Sequence, residues 1–382
     1  MRKLFSVALL SLMALAAPLI AHGQTRHPVL PLGSKAPGFA LPGVDGTIHK
    51  LSDYATARVL VIVFSCDHCP IAQMYESRIE QLYEEYKNRG VAVVVIEGND
   101  PGATVIDELD SSDVGDTLAD MKIRVRYRHL HYPYLYDGDT QAVTRAYGPQ
   151  ATPHVFIFDQ NRRLRYEGRF DNSYRIEKVT TRDAQNAIDE LLADEPVRVA
   201  HTAVFGCSTK WAEKKALVAE YNEKLDATPV AVSMIGAAGL RKLRANAGDN
   251  YTLVDFWATW CSSCVAEFAD LQDTYRMYSD RGLNLVTVSV NSPDEKSDVL
   301  NFLQKHHATS ENLLLDSDDT ATLQAAFDPT WQSAVPYTIL LGPNGRILYK
   351  TLGSADILQL RRTILAAVPS AYIGFNKYWE GQ

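Results

Sequence analysis

The sequence has few cysteines, little excess charge and no long apolar run after its first twenty residues. Five cysteines in 382 residues are too few for a disulfide-stapled scaffold. A formal net charge of −8 leaves no basic footprint for nucleic acid. The GxGxxG sequence that follows a strand in nucleotide-binding folds is missing, so a bound nicotinamide or flavin is not expected. These absences favour a mildly acidic globular protein without an organic cofactor.

The first residues have the pattern of a secretory signal. Arg2 and Lys3 precede an apolar run at 4–20, and small residues follow at 21–23, where a signal peptidase would cut. We therefore expect residues 1–23 to be a signal peptide and the protein to be exported. An uncleaved membrane anchor is the alternative, although the run is short for a spanning helix.

The chain then contains one pattern twice. In the first copy, a strand-like apolar run at 59–64 leads into a CxxC motif, Cys66 to Cys69. Apolar residues at helical spacing follow, end at Gly90 and give way to a second apolar run at 91–96. This order predicts strand, CxxC, helix and strand.

The second copy has the same order. An apolar run at 252–257 leads into Cys261-x-x-Cys264, a helical pattern ends at Gly282, and an apolar run follows at 285–290. A chain of 382 residues is also too long for one ordinary core. The repeat therefore predicts two domains of one design.

Each copy ends in the same kind of hairpin. The stretches TPHVFIFDQNRRLRY, from Thr152, and VPYTILLGPNGRILY, from Val335, each predict a strand, a tight turn and a return strand. The first copy is longer because of an insertion, which we place within 97–131. The predicted divisions are a signal peptide at 1–23, a first domain at 24–206, a connecting helix and linker at 207–229, a second domain at 230–369 and a tail at 370–382.

Both CxxC pairs have the spacing of redox-active cysteines. A cysteine at a helix N-terminus has a lowered pKa, and its thiolate attacks disulfides. The predicted elements place Cys66 and Cys261 there, and Cys69 and Cys264 can then resolve the mixed disulfide. We therefore expect redox-active disulfides Cys66–Cys69 and Cys261–Cys264.

The sequence also leaves two other roles open for these cysteines. Zinc would need further ligands nearby, and although His129 and His131 are available, no spacing recommends them. A purely structural disulfide across so short a loop would stabilise little. Redox exchange is favoured over both, and no metal site is predicted.

Both copies resemble members of one superfamily. The stretches TLVDFWATWCSSCVAEF and AVPYTILL resemble thioredoxin-fold proteins of the TlpA/ResA type, and this resemblance covers about 230–368. The stretches FSCDHCP, TPHVFIFD and FGCSTKW resemble AhpC/TSA-like, peroxiredoxin-like proteins, over about 33–211. The resemblance implies an α/β fold class: two thioredoxin-like folds in tandem, each with a central mixed β-sheet flanked by helices.

The resemblance also implies an activity and a setting. It implies a thiol–disulfide oxidoreductase that exchanges electrons with protein disulfides in the bacterial periplasm, with a membrane thiol electron donor and no membrane span in the mature chain. A different class remains open, a binding or chaperone-like module that does not turn over. Such a module would tolerate loss of Cys69 and Cys264, whereas a catalyst would not.

In this superfamily a cis proline faces the CxxC motif and its neighbouring backbone pairs with an extended substrate. Pro153 and Pro336 match that proline. Thr152, Val335 and Trp260 are the residues expected beside the substrate. From the residues alone, trans prolines would be the better expectation.

The two sites carry different side chains. Asp255 and Glu267 match acids of thioredoxins and ResA-like proteins, and either can take the proton of Cys264 as it attacks. The alternative for Glu267 is an ordinary exposed glutamate. The first site lacks both acids and has His68, which can stabilise the neighbouring thiolate of Cys69 and make that disulfide more oxidising, unless it is an exposed loop residue without effect.

A peroxidase is the rival for the first domain. Peroxiredoxins place Thr or Ser three residues before the reactive cysteine, whereas this chain has Val63 there. We therefore expect thiol–disulfide exchange. Cys207 is the odd cysteine: it is a third redox thiol, a partner for Cys66 or a buried inert thiol.

Overall fold

The computed structural model describes residues 27–331, 334–370 and 379. The predicted signal peptide and nearly all of the predicted tail lie outside the described residues. Within the part that is described, helices are too short or too polar to cross a lipid bilayer.

The first half forms a five-stranded mixed sheet in which the strands lie side by side in the order Tyr134–Tyr136, Val91–Glu97, Val59–Ser65, His154–Phe158 and Leu164–Gly168. Its strands are β1 (Ala40–Pro42), β2 (Ile48–Lys50), β3 (Val59–Ser65), β4 (Val91–Glu97), β5 (Tyr134–Tyr136), β6 (Ala151–Thr152), β7 (His154–Phe158), β8 (Leu164–Gly168) and β9 (Cys207–Ser208). Its helices are α1 (Pro70–Tyr86), α2 (Leu118–Arg128), α3 (Ala142–Tyr147) and α4 (Asp183–Leu192).

The second half forms a six-stranded mixed sheet in which the strands lie side by side in the order Ser233–Ile235, Glu311–Leu315, Leu283–Ser289, Tyr251–Trp257, Tyr337–Leu341 and Ile347–Leu352. Helix α5 (Lys215–Asp226) precedes it. Its strands are β10 (Ser233–Ile235), β11 (Tyr251–Trp257), β12 (Leu283–Ser289), β13 (Glu311–Leu315), β14 (Tyr337–Leu341) and β15 (Ile347–Leu352). Its helices are α6 (Ala237–Ala245), α7 (Ser262–Tyr278), α8 (Lys296–Lys305), α9 (Thr320–Phe327) and α10 (Ile357–Ala367).

The central strands are buried on both faces. Every residue of β3 is buried, as is every residue of β11 after Tyr251. Each pairs in parallel with the strand that follows its CxxC helix and antiparallel with the strand that follows its proline. Such strands have continuous β-branched runs because helices cover both faces of the sheet. Each CxxC motif therefore lies at the carboxyl end of a central strand.

The predicted insertion joins the two halves. It contains two short 3₁₀ turns, Pro101–Ala103 and Ile106–Leu109, before α2. Ile106 and Leu109 pack against an apolar cluster of the second half. The hydroxyl of Tyr278, at the end of α7, donates to the carbonyl of Ser112 at 2.6 Å. The insertion is therefore an interface between the halves.

The first half extends past the predicted boundary at residue 206. Strand β9 pairs with β6, and the backbone N–H of Lys210 donates to the side chain of Asn99 at 2.8 Å. A helix does follow in the predicted linker, as α5, and none of its residues is buried.

Candidate functional site

The cysteines of the second half lie at the start of α7. Cys261 is the N-cap residue, and the backbone N–H of Cys264 donates to its sulfur at 3.2 Å. The two cysteines form a disulfide with their Cα atoms 5.3 Å apart. A sulfur at this position lies where the unpaired amides of the helix favour negative charge.

The residues directly before β14 lie beside this disulfide. The Val335–Pro336 peptide is cis, as the resemblance implies, and the carbonyl oxygen of Val335 lies 3.7 Å from the Cys261 sulfur. Trp260, just before the disulfide, is 64% exposed. The predicted substrate-side residues Trp260, Val335 and Pro336 are therefore together at one edge of the site.

Two buried acids lie behind this disulfide. Asp255 accepts a hydrogen bond from the Thr338 hydroxyl at 3.0 Å, and burial, then the charge of Glu267, raises its pKa to about 7. Glu267 is buried rather than exposed, and its carboxylate accepts from the backbone N–H of Ala355 at 2.9 Å. Burial raises the pKa of Glu267 as well. A carboxyl that titrates near neutral pH is suited to exchange a proton with a thiol.

The first half has a different disulfide from the predicted one. Cys69 is bonded to Cys207, with Cα atoms 5.9 Å apart, and Cys66 is a free, buried thiol. The predicted Cys66–Cys69 disulfide is therefore not formed in this structure. The sequence could not show this pairing because Cys207 is 138 residues from its partner.

Cys66 is also not at a helix N-terminus. Helix α1 begins at Pro70, a residue favoured in the first turn, with Cys69 as its N-cap. Cys66 is 2% exposed, and its sulfur lies 3.1 Å from the Thr152 hydroxyl. Burial, with the charges of Asp116 and Glu97, raises the pKa of its thiol. The expectation of a lowered pKa at Cys66 is therefore wrong for this state of the site.

His68 is fixed inside the protein rather than exposed. Its Nδ1 lies 2.5 Å from the Asp116 carboxylate, whose other oxygen accepts from the backbone N–H groups of Asp67 and His68. Asn99 donates to the same carboxylate at 3.0 Å. Burial alone would raise the pKa of Asp116, but the charge and hydrogen bonds of His68 and Asn99 bring it below its usual value. Asp116 thus holds the turn between β3 and α1.

Further acids surround the first site, although it has no counterparts of Asp255 and Glu267. The Tyr134 hydroxyl is 3.0 Å from Asp67 and 3.4 Å from Glu97, and all three side chains are buried. Burial raises the pKa of Asp67 and of Glu97 well above the usual values. Asp67 lies inside the CxxC motif, Glu97 at the end of β4 and Asp116 in the insertion. No local spacing connects Glu97 and Asp116 to the cysteines; the Asn99-Asp100 pair beside Glu97 is the one nearby signal.

The side chains of Cys66, His68 and Asp116 have the composition of a metal site, although the sequence predicts no metal site. Ligand atoms of Cys66, His68 and Asp116 lie within 4.8 Å of one another. His68 and Asp116 already pair with each other within this group. His129 and His131, the two histidines considered for zinc, are not part of it.

The edge beside Pro153 is occupied. The Thr152–Pro153 peptide is cis, as the resemblance implies, and β6 immediately before it pairs antiparallel with β9. The Cys69 sulfur lies 3.7 Å from the Thr152 carbonyl oxygen. The chain's own residues 207–208 therefore lie where a substrate is expected.

Two segments of the chain match one family model. Residues 32–167 and 236–350, together more than half of the chain, match the AhpC/TSA family. The chain belongs to the AhpC/TSA family. The predicted fold class is confirmed, since both matched segments form mixed sheets flanked by helices in tandem.

Relatives of this AhpC/TSA-family chain include thiol–disulfide oxidoreductases. It is 29% identical over 101 residues to ResA of Bacillus subtilis strain 168, a match that covers 26% of this chain and 52% of that protein. It is 27% identical over 161 residues to ResA of Geobacillus thermodenitrificans, covering 42% of this chain and 81% of that protein. The chain thus spans about half the length of the Bacillus subtilis relative.

One solved structure similar to this chain is an uncharacterized conserved protein from Geobacillus kaustophilus. It is 35% identical, the match covers 47% of this chain and 92% of that chain, and the TM-score is 0.43.

Proposed function

We propose that this AhpC/TSA-family protein is a thiol–disulfide oxidoreductase that exchanges electrons with protein disulfides. One observation carries the proposal: the Cys261–Cys264 disulfide at the N-terminus of α7 beside an open edge. A purely binding module would have no need of a disulfide at that position. The relatives named ResA are thiol–disulfide oxidoreductases and support the same reading.

The second site supplies the parts that the exchange needs. Cys261 is 8% exposed and Cys264 is 1% exposed, so Cys261 is the sulfur that meets a substrate. Cys261 attacks the substrate disulfide, and Cys264 then attacks the mixed disulfide and releases the reduced substrate. Asp255 and Glu267 are the acids proposed to take the proton of Cys264.

The first site supports exchange better than peroxidase chemistry. Its thiol, Cys66, is buried, and Val63 holds the position of the peroxide-binding hydroxyl. Cys69 and the partly buried Cys207 belong to the same site and give it a second set of cysteines for exchange, with buried His68 beside Cys69. We propose that the two sites differ in reduction potential.

The setting of the protein is part of the proposal. We propose an exported, periplasmic protein that receives electrons from a membrane thiol protein and uses no bound cofactor. The ResA relatives and the signal-like residues at 1–23 support this setting.

Turnover of a protein disulfide tests the function. The mature protein, reduced and then mixed with insulin, should reduce insulin disulfides. With Cys66, Cys69 and Cys207 replaced by Ser so that only the second site can react, Cys261→Ser should lower that rate by about a hundredfold or more, because the attacking sulfur is lost. Cys264→Ser should instead accumulate a mixed disulfide between Cys261 and insulin, visible by mass spectrometry.

Ser262→Ala is the matched control, because it changes the same turn and keeps both sulfurs. It should retain the wild-type rate. An insulin-reduction rate unchanged in Cys261→Ser, or no reduction by the wild type, would contradict a catalytic role for the second site and favour a binding module.

A further inference from the structure

Strand β9 lies where an extended substrate would pair with the first domain. It runs antiparallel to β6, with Cys207 opposite Thr152 and Ser208 opposite Ala151. Thr152 is the residue immediately before cis Pro153. The first domain therefore places its own backbone, and its own cysteine, at the edge that a thioredoxin fold offers to a substrate cysteine.

The approach of this segment depends on a glycine. Gly206 has a φ of +139°, and a Cβ atom on it would lie 2.0 Å from the carbonyl oxygen of Thr152. Both the backbone conformation and the missing side chain are needed for this contact. Residues 206–208 are thus built to fit the edge closely.

The described residues of the second domain leave the corresponding edge open. Within the described parts of the chain, no strand pairs with Val335, which precedes cis Pro336. Cys261 and Cys264 are there bonded to each other. The same fold thus has two arrangements, one closed by the chain itself and one open.

The three sulfurs of the first domain gather around one residue. The Cys66 sulfur is 3.1 Å from the Thr152 hydroxyl, and the Cys69 sulfur is 3.7 Å from the Thr152 carbonyl oxygen. Cys207 is bonded to Cys69 and packs against the same apolar cluster as Cys66. A free thiol therefore lies beside a disulfide from which it can displace one partner.

We propose that Cys207 is the third cysteine of an internal disulfide exchange that opens the first domain to protein substrates. Cys66, as thiolate, attacks the sulfur of Cys69; the bond between Cys69 and Cys207 breaks, and a Cys66–Cys69 disulfide forms. Cys207 leaves as a thiolate and takes up the proton that Cys66 lost. The exchange needs no oxidant or reductant, because one disulfide and one thiol are present before and after it.

The exchange changes which backbone edge the first domain offers to a substrate. With Cys207 released, β9 loses its covalent tie to α1, and the edge beside Pro153 becomes free for an extended segment of another protein. The CxxC pair is then the disulfide, in the form its spacing predicts. This inference rests on the proposed function. It assigns the substrate-binding edge of the first domain to residues 151–152.

Peptide mapping distinguishes the two disulfides. Trypsin leaves Cys66 and Cys69 together in peptide 59–78 and Cys207 in peptide 199–210. The Cys69–Cys207 disulfide links these peptides, whereas Cys66–Cys69 leaves peptide 199–210 free. The oxidised mature protein is incubated at about pH 8 with N-ethylmaleimide and no reductant, which traps each released thiol.

We expect the linked peptides to decline with time and maleimide-labelled Cys207 to accumulate in the wild type. Cys66→Ser should lower that labelling by about tenfold or more, because the attacking sulfur is absent. Ser208→Ala, which alters β9 without touching a sulfur, should label like the wild type.

Two outcomes would overturn the exchange. One is wild-type protein that keeps the linked peptides and takes up label only at Cys66; the other is equal labelling of Cys207 in the wild type and in Cys66→Ser. The assay contains no protein substrate, so its result is independent of whether the chain reduces insulin. Failure of the exchange and failure of the proposed function are therefore distinguishable.

Discussion

Asp255 shows how one buried side chain ties stability to pH. It lies inside β11, and burial followed by the charge of Glu267 raises its pKa to about 7. The unfolded chain releases this proton near pH 4, at the ordinary pKa of Asp. The folded protein thus holds a proton that the unfolded chain has lost across that interval. Stability present below about pH 4 is therefore lost as the pH rises towards 7.

We expect Asp255→Asn to flatten this dependence. The free energy of unfolding should fall less between about pH 4 and pH 7, and at about pH 8 the variant should exceed the wild type by about 1 to 4 kcal/mol. Urea unfolding of the oxidised protein at a series of pH values measures it. Asp249→Asn, the same change at an exposed position, should follow the wild-type curve.

The same variant separates stability from chemistry. If Asp255 takes the proton of Cys264, insulin reduction by Asp255→Asn should be about tenfold to a hundredfold slower, even though the folded protein is more stable. A variant with wild-type turnover would leave Glu267 as the proton acceptor. Equal pH profiles of stability in the variant and the wild type would instead show that Asp255 titrates at its ordinary pKa.

At the level of secondary-structure elements, the two CxxC motifs have the same spacing but different positions relative to the helix that follows. Helix α7 starts directly after Cys261, whereas α1 starts directly after Cys69. The first cysteine of the second site therefore caps a helix, and the first cysteine of the first site lies buried before one. The strands, the helices and the cysteine positions were predictable, because each depends on a local run or a local spacing.

The contacts that decide the character of the first site were not predictable in this way. Asp116 reaches His68 across 48 residues, and Cys207 reaches Cys69 across 138. Arg124, one of several alternating basic residues of α2, is fully buried. Periodicity shows which face of an element is apolar, whereas a buried charge is explained only by partners distant in the sequence.

Arg124 links α2 to α1 through an ion pair with Glu76. Its guanidinium donates to the Glu76 carboxylate at 2.8 and 3.2 Å and to Asp113 at 3.2 Å. We expect Arg124→Met to lower the free energy of unfolding by about 3–5 kcal/mol, because the buried carboxylates of Glu76 and Asp113 would each lose one of their cationic partners. Chemical denaturation measures the loss.

Arg126→Met is the matched control, two residues further along α2 and on its exposed side. It should change stability by less than about 0.5 kcal/mol. Equal effects of the two variants would show that helix propensity, rather than the buried ion pairs, accounts for the loss.

At the scale of the molecule, one carboxylate connects both domains. Asp113 is fully buried, accepting from Arg124 of the first domain at 3.2 Å and from Arg362 of α10 at 2.6 Å. The adjacent Ser112 accepts from Tyr278 through its carbonyl and donates through its hydroxyl to the Asp67 carbonyl at 3.2 Å. A chain of hydrogen bonds thus runs from α7 to the turn that carries Cys66.

This arrangement predicts that Asp113→Asn loosens the interface and the first cysteine site together. Two buried or half-buried guanidinium groups would lose their shared charge, so we expect faster hydrogen exchange across 106–116 and a loss of about 3–5 kcal/mol in stability. Arg362→Gln removes only the ion pair that the second domain makes with Asp113. It should speed hydrogen exchange in the insertion and cause a smaller loss of stability. Arg346→Gln, at an exposed position of the second domain, should change neither quantity. Hydrogen exchange measured by mass spectrometry tests this coupling. If Asp113→Asn speeds exchange on the α10 side while residues 106–116 and the turn after β3 stay protected, the carboxylate does not couple the two domains.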